Sequence, residues 1–227
     1  PLIAILTASL IFMMNMMLVG AVNVYLFKDY FSSAGTLSFV SIAQTIAVLL
    51  CAPFIKTLTT KFGKKEMSLV GLLIASAAYF FLFFLKNIDA MTFIYISFIG
   101  FIGFGLFNTV IWAFVTDVID YQEYLTDLRE DGTVYSVYSF ARKVGQALAG
   151  GIGGFAIAAI GYDASREVQT NEALNGIHTL ATLVPAVVYL GIFLILLFFY
   201  PLNKTRLAKM QEELEARRGA KESKVIK

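Results

Sequence analysis

Met91–Val118 reads MTFIYISFIGFIGFGLFNTVIWAFVTDV, 28 residues whose single charge, Asp117, comes next to last. A helix needs about 20 mostly apolar residues to cross the hydrocarbon core of a bilayer. This stretch exceeds that, and the pattern repeats on both sides of it. Further spans are expected at Leu2–Phe27, Leu37–Leu58, Met67–Leu85, Val134–Ile160 and Ile177–Tyr200, the last closed by Pro201. Hydrophobic residues make up 58% of the 227 and charged residues 15%, against about 25% charged in soluble domains. Mean hydropathy is +0.74. The expected fold is therefore an all-α membrane protein of six transmembrane helices, with residues 1–202 as the bundle and 203–227 as a basic tail.

The net charge is only +2, but its distribution is informative. Eight of the 18 basic residues follow Leu202: Lys204, Arg206, Lys209, Arg217, Arg218, Lys221, Lys224 and Lys227. A basic tail beside anionic lipid explains them more simply than nucleic-acid binding does. The segment Lys56–Glu66 holds Lys56, Lys61, Lys64 and Lys65. Basic short loops stay on the cytoplasmic side, and six spans put this loop and the tail on the same side. Charge and parity thus agree on a multi-pass protein with a cytoplasmic tail; the expected location is a cell membrane, a bacterial inner membrane. Lys204–Arg218 is expected as an amphipathic helix on the inner surface, and Gly219 onward as disordered. The chain opens on Pro1 within an apolar run, so no signal peptide is expected and a preceding segment is. The lone Cys51 sits in an apolar run and reads as helix packing.

Small residues recur at helical spacing in the fifth span, as Gly145, Ala149 and Gly153 and as Gly150 and Gly154, and the fourth span carries Gly100, Gly103 and Gly105. Such rows let helix backbones approach closely in lipid. Enzyme signatures are missing: there is no HExxH, CxxC, GxSxG or phosphate-cradling glycine loop, and no metal site is expected. The only histidine, His178, reads as a hydrogen-bonded interfacial residue.

Chemistry concentrates in Val115–Leu148, VTDVIDYQEYLTDLREDGTVYSVYSFARKVGQAL. Asp117 and Asp120 share a helix face, extended by Glu123. Arg129, Glu130 and Asp131 make the following turn polar. Lys143 lies ten residues past Thr133, about 15 Å into the fifth span at the α-helical rise. An ammonium at that depth costs at least about 3 kcal/mol, so it needs a carboxylate, a watery cavity or a stem that snorkels. Arg142 points about 100° away, so the two cations cannot share a role. Polar residues within the apolar spans (Asn15, Asn23, Gln44, Thr45, Asn108, Thr109, Tyr135, Tyr138 and Ser139) suggest a lined cavity, with Trp112 one turn beyond Asn108. Aromatic rings beside polar groups suit a sugar, whose faces are apolar and whose edges hydrogen-bond.

At this segment the chain resembles the glycoside–pentoside–hexuronide:cation symporters, the melibiose-permease-type branch of the major facilitator superfamily. The resemblance rests on Asp117-x-x-Asp120-Tyr121-x-Glu123, Arg129-x-x-Gly132 and Lys143-x-Gly145, with the superfamily-type loop Lys61-Phe62-Gly63-Lys64-Lys65. It implies the C-terminal half of a twelve-helix carrier that works by alternating access. It places Lys143 near the cation site and the sugar, with Tyr138, Ser139 and Arg142 lining the pocket. Asp117, Asp120, Glu123 and Arg129 become inner-gate salt-bridge formers. Asn108 stands where family members have a stacking aromatic, with Trp112 displaced by a turn. Arg142 replaces an apolar neighbour of the lysine and suits an anionic sugar such as a hexuronide.

The expected function is secondary active sugar transport coupled to Na⁺ or H⁺, with no other cofactor and the cation-binding carboxylates in an N-terminal half. The expected partners are a small sugar, the coupling cation, lipid and that other half. The alternatives are a carrier of lysolipids or other amphiphiles on the same scaffold and a non-transporting membrane scaffold.

Overall fold

The computed structural model describes the backbone of residues 1–225 and the side chains of residues 1–219. Among the described residues the regular structure is all helical. The helices are α1 (Leu2–Tyr25), α2 (Leu37–Phe62), α3 (Lys64–Phe84), α4 (Ala90–Thr126), α5 (Asp131–Ala159), α6 (Asn171–Phe199) and α7 (Lys204–Val225). A π-helical turn, Leu26–Tyr30, continues α1, and a 3₁₀ turn, Ala34–Thr36, leads into α2.

The ends of these helices are set by local chemistry. Gly63 alone separates α2 from α3, and its φ of 104° is one that residues with a Cβ avoid. The lysine-rich stretch expected as a loop is therefore helical on both sides of one glycine. Asp89 caps α4, its carboxylate accepting from the backbone N–H groups of Met91 (3.0 Å) and Thr92 (3.1 Å). Hydrogen bonds from the Thr92 side chain and backbone hold that carboxyl below its ordinary range. Thr170 caps α6 by accepting from Ala173 N–H at 3.2 Å, so this helix starts six residues before the expected Ile177. Asp127, in the left-handed conformation, ends α4 well past Val118.

Among the described residues, five helices are long and apolar enough to cross a membrane: α1 with its π turn, α2 with the 3₁₀ turn before it, α3, α4 and α6. At 29 residues α5 has the length, but Asp131, Arg142, Lys143, Gln146 and its glycines dilute its apolar character. The sixth expected span is thus an equally long helix of lower hydropathy.

In space, α1 lies between α5 and α6, α3 lies between α4 and α6, and α2 packs on α4. The core runs through Phe12, stacked on Phe104 (centroids 5.1 Å apart) and edge-on to Phe107 (4.9 Å). The Ser76 hydroxyl donates to the Ala186 carbonyl at 2.9 Å, joining α3 to α6 beside Pro185. The closest approach is between α3 and α4. A Cβ on Gly71 would stand 2.7 Å from the Gly103 carbonyl oxygen, and one on Gly103 would overlap the Gly71 carbonyl. The row Gly145, Ala149 and Gly153 packs on α1, but a Cβ on Gly150 or Gly154 would meet nothing within 4 Å, so that second row seats no helix here. Large apolar residues point outward on α2 (Phe39, Leu50, Phe54) and α5 (Phe140, Phe155), a surface suited to lipid or to another bundle.

The tail departs from expectation. Helix α7 continues to Val225, through positions expected to be disordered, while residues 226–227 lie outside the described ones. Its Met210 and Leu214 are buried in the same core as the bundle instead of facing the membrane surface. The Lys221, Lys224 and Lys227 side chains lie outside the described residues.

The α3–α4 crossing yields a direct test. Gly103→Ala should cost about 1–3 kcal/mol of stability, because the added methyl has backbone on the other side. Gly150→Ala should be neutral or slightly stabilising, since it fills open space and favours helix. Thermal unfolding in detergent reads both, and equal effects would contradict the close crossing.

Candidate functional site

Two groups of side chains and one cavity bear on function. The first group lies at the end of the bundle where α3 starts, α4 ends and α7 packs. Lys64, the first residue of α3, reaches Asp117 with Nζ 2.6 Å from Oδ1, and Asp117 is only 1% exposed. One helical step on, Asp120 and Glu123 share two guanidinium groups. Arg129 Nη1 lies 2.9 Å from Asp120 and 3.1 Å from Glu123, while its Nε and Nη2 donate to Asp131 at 2.8 and 2.9 Å. Arg218, arriving on α7, donates from Nε to Glu123 at 2.9 Å and from Nη2 to Asp120 at 3.3 Å. Its Nη2 also contacts Glu123 Oε2. Hydrogen bonds to Asp131 and Asp120 raise the pKa of Arg129 above the ordinary arginine value, so its charge is permanent.

The α7 contact continues outward. Tyr124 donates to Glu213 at 2.9 Å, and Arg217 lies 4.9 Å from the Tyr124 ring centroid. Across the same end, Lys65 donates to the carbonyls of Leu197 (3.1 Å) and Tyr200 (2.6 Å), and Lys204 donates to that of Lys61 (2.8 Å). A lysine on the last carbonyls of α6 satisfies groups the helix itself leaves open. The four residues expected at a gate, Asp117, Asp120, Glu123 and Arg129, thus meet in one region. Sequence reading missed their partners Lys64 and Arg218, one assigned to a loop and the other to lipid.

The second group joins α5, α4 and α1. Tyr135, Tyr138 and Arg142 are three and four residues apart, so they share one face of α5. Trp112 of α4 packs edge-on to Tyr138 (5.2 Å) and stacked with Tyr135 (5.9 Å). The guanidinium carbon of Arg142 lies 4.9 Å from the Trp112 ring centroid and 5.8 Å from that of Tyr138, within cation–π range. From α1, the Met13 sulfur accepts from Arg142 Nη2 at 3.5 Å and from Gln146 at 3.8 Å. Arg142 Nη1 and the Tyr138 hydroxyl are buried with no hydrogen-bond partner among the described residues. The expected Arg142, Tyr138 and Trp112 therefore assemble, while Met13 and Gln146 are additions that no spacing rule announced.

The remaining expected residues stand apart. Lys143 is exposed, and Ser139 and Asn108 are half-buried. None of the three makes a side-chain hydrogen bond or ion pair among the described residues. His178 is buried: its ring stacks on Tyr30 at 5.2 Å, and its Nε2 has no partner among the described residues. Among the described residues no cluster of His, Cys, Asp or Glu could hold a metal ion. A cavity of about 380 Å³ opens beside α1, lined in part by Asn23 and Gln44.

The buried pair predicts a non-additive mutant cycle. Lys64→Ala leaves Asp117 uncompensated and should cost about 3 kcal/mol. Combining it with Asp117→Asn should recover much of that loss. Detergent-phase unfolding measures both, and additive losses would mean the two residues do not act as a pair.

A family model described as MFS/sugar transport protein matches residues 1–204. The glucuronide carrier protein homolog of Escherichia coli (strain K12) is 31% identical over 219 residues, 96% of this chain and 48% of that protein. The isoprimeverose transporter of Lactiplantibacillus pentosus is 31% identical over 217 residues, 95% of this chain and 44% of that protein. The putative glycoside/cation symporter YagG of Escherichia coli (strain K12) is 38% identical over 118 residues, 51% of this chain and 25% of that protein. The chain thus spans about half or less of the length of these relatives. With several membrane-length apolar helices, this is a multi-pass membrane protein of a carrier family, not an enzyme. The chain belongs to the MFS/sugar transport proteins, in the glycoside–pentoside–hexuronide:cation symporter family.

Proposed function

We propose that this chain is the C-terminal six-helix half of a carrier that moves an acidic sugar, a hexuronide, together with Na⁺ or H⁺ by alternating access. The observation that carries the substrate is Arg142. Its guanidinium is held between Trp112, Tyr138 and Met13, and its buried Nη1 lacks a partner among the described residues. A planar donor fork fixed in orientation and short of an acceptor matches a carboxylate. The relative named as a glucuronide carrier homolog takes its name from a substrate with that group. A neutral glycoside or pentoside would leave the guanidinium unpaired.

Helix α5 is the sixth span in this reading. Its lower hydropathy reflects the polar groups that line a substrate path, and Lys143 stands on its exposed side, where a second six-helix half would close that path. The ion-pair network around Asp117 and Asp120 forms the cytoplasmic gate, with α7 inside the cell, as loop and tail lysines favour. The coupling-ion carboxylates belong to the other half. Alternating access then opens and closes this gate as the two halves rock about the central site.

The test is uptake into proteoliposomes by the full-length carrier. Labelled methyl glucuronide, xyloside and galactoside are compared under imposed Na⁺ and H⁺ gradients. Gradient-driven accumulation of the glucuronide is expected, falling at least about tenfold in both Lys143→Ala and Arg142→Gln. Preference for the neutral sugars, unchanged in Arg142→Gln, would reject the acidic substrate. No uptake of any sugar under any gradient would reject the carrier reading in favour of an amphiphile carrier or a scaffold.

A further inference from the structure

A cavity opens beside α1. It measures about 380 Å³ and takes its walls from α1, α2, α3, α4 and α6, through Asn23, Gln44, Tyr79, Phe101, Phe104 and Tyr189. That volume falls within the range of small-ligand sites, about 300–1,000 Å³. The two carboxamides make no side-chain hydrogen bond among the described residues, although Asn23 is only 8% exposed. Each offers both a donor and an acceptor, and leaving such groups unsatisfied in a membrane interior is costly. No charged side chain lines the cavity.

These features select among occupants. An ion would find no countercharge, and an acyl chain would leave both carboxamides unpaired. An uncharged pyranose ring satisfies the walls, its faces against the aromatic rings and its hydroxyl edges to Asn23 and Gln44. The position relative to Arg142 adds the decisive relation. Met13, which accepts from Arg142, stands one turn before Met17, which lines the cavity, an offset of about 6 Å along α1. A single substrate can therefore lie along α1 with its acid at Arg142 and its next ring in the cavity.

We infer that the cavity lined by Asn23 and Gln44 is a second sugar subsite, which takes the uncharged ring of an acidic disaccharide whose uronate is held by Arg142. This rests on the acidic-sugar carrier reading and extends it from a monosaccharide to a two-ring substrate. Gly20 supplies the cleanest variant, because it lines the cavity and an added Cβ there meets nothing within 4 Å. Gly20→Leu adds bulk at the cavity wall, with its Cβ in open space.

The experiment measures uptake KM in proteoliposomes of the full-length carrier for glucuronosyl-xylose and for methyl glucuronide. In the wild type the disaccharide should show a KM at least about tenfold lower, the worth of one or two added hydrogen bonds. Gly20→Leu should erase that advantage and leave methyl glucuronide unaffected. Asn23→Leu and Gln44→Met, which remove hydrogen bonds without filling space, should each reduce it while sparing the maximal rate. A purely structural role would lower the rate for both sugars alike and would overturn the subsite. So would a wild type without preference, or an advantage that persists in all three variants, and in both cases the carrier reading stands. Absence of uptake of both sugars in the wild type would instead overturn the carrier reading and this subsite with it.

Discussion

Charge neutralisation at one end of α4 organises the molecule. Asp117 is buried, and a carboxylate without water is tolerable only when paired. Its partner Lys64 is the first residue after the glycine that divides α2 from α3, so the pair fixes where that turn sits against α4. Asp120 and Glu123 draw Arg129 from the α4–α5 turn and Arg218 from α7 into the same region. Acidic groups on one helix thus tie together three separate stretches of chain. The exposed members of such a network contribute little to stability individually. In the proposed gate, solvated ion pairs can separate and re-form at modest cost while a packed apolar seam cannot.

Elsewhere the bundle is held by contact alone. Lipid offers no hydrophobic penalty for separating two helices, so association depends on close packing and interhelical hydrogen bonds. The α3–α4 crossing at Gly71 and Gly103, the Phe12–Phe104–Phe107 group and the Ser76 bond to α6 meet that need on the α3, α4 and α6 side. Helices α2 and α5 are attached more sparingly and turn many large apolar residues outward. The firm centre and the lightly held flanks follow from the number of partners, since α2 packs mainly on α4 and α5 mainly on α1.

Much of this was legible in the sequence because lipid imposes a length rule and a charge rule. Apolar runs placed the helices to within a few residues at most ends. The misses share a cause, which is that pairing extends helices beyond the apolar run. Helix α4 reaches Thr126 because Asp120 and Glu123 find arginines, and α6 starts at Asn171 because Thr170 caps it. The tail was read as facing lipid, since nothing local shows that Met210 and Leu214 fold back onto the bundle. Within the site, helical spacing put Tyr138 and Arg142 on one face, but the Met13 and Gln146 contacts and the cavity are relations between helices that no period encodes.

The low hydropathy of α5 and the unpaired groups at Arg142, Asn23 and Gln44 have a common physical meaning. A scaffold in lipid gains nothing from a guanidinium lacking an acceptor or from carboxamides facing a void, and selection for stability alone would replace them with leucine or alanine. These groups lie beside aromatic faces along one stretch of α1, while the acidic residues of α4 are each compensated at the bundle's end. The molecule therefore leaves these polar groups open along α1, while the acids of α4 are neutralised at the other site. A ligand rich in hydroxyls and bearing one acid would complete the first region. In the proposed carrier, a change in the ion pairs would open the second, and binding and gating are the two operations that the proposed coupled transport requires in turn.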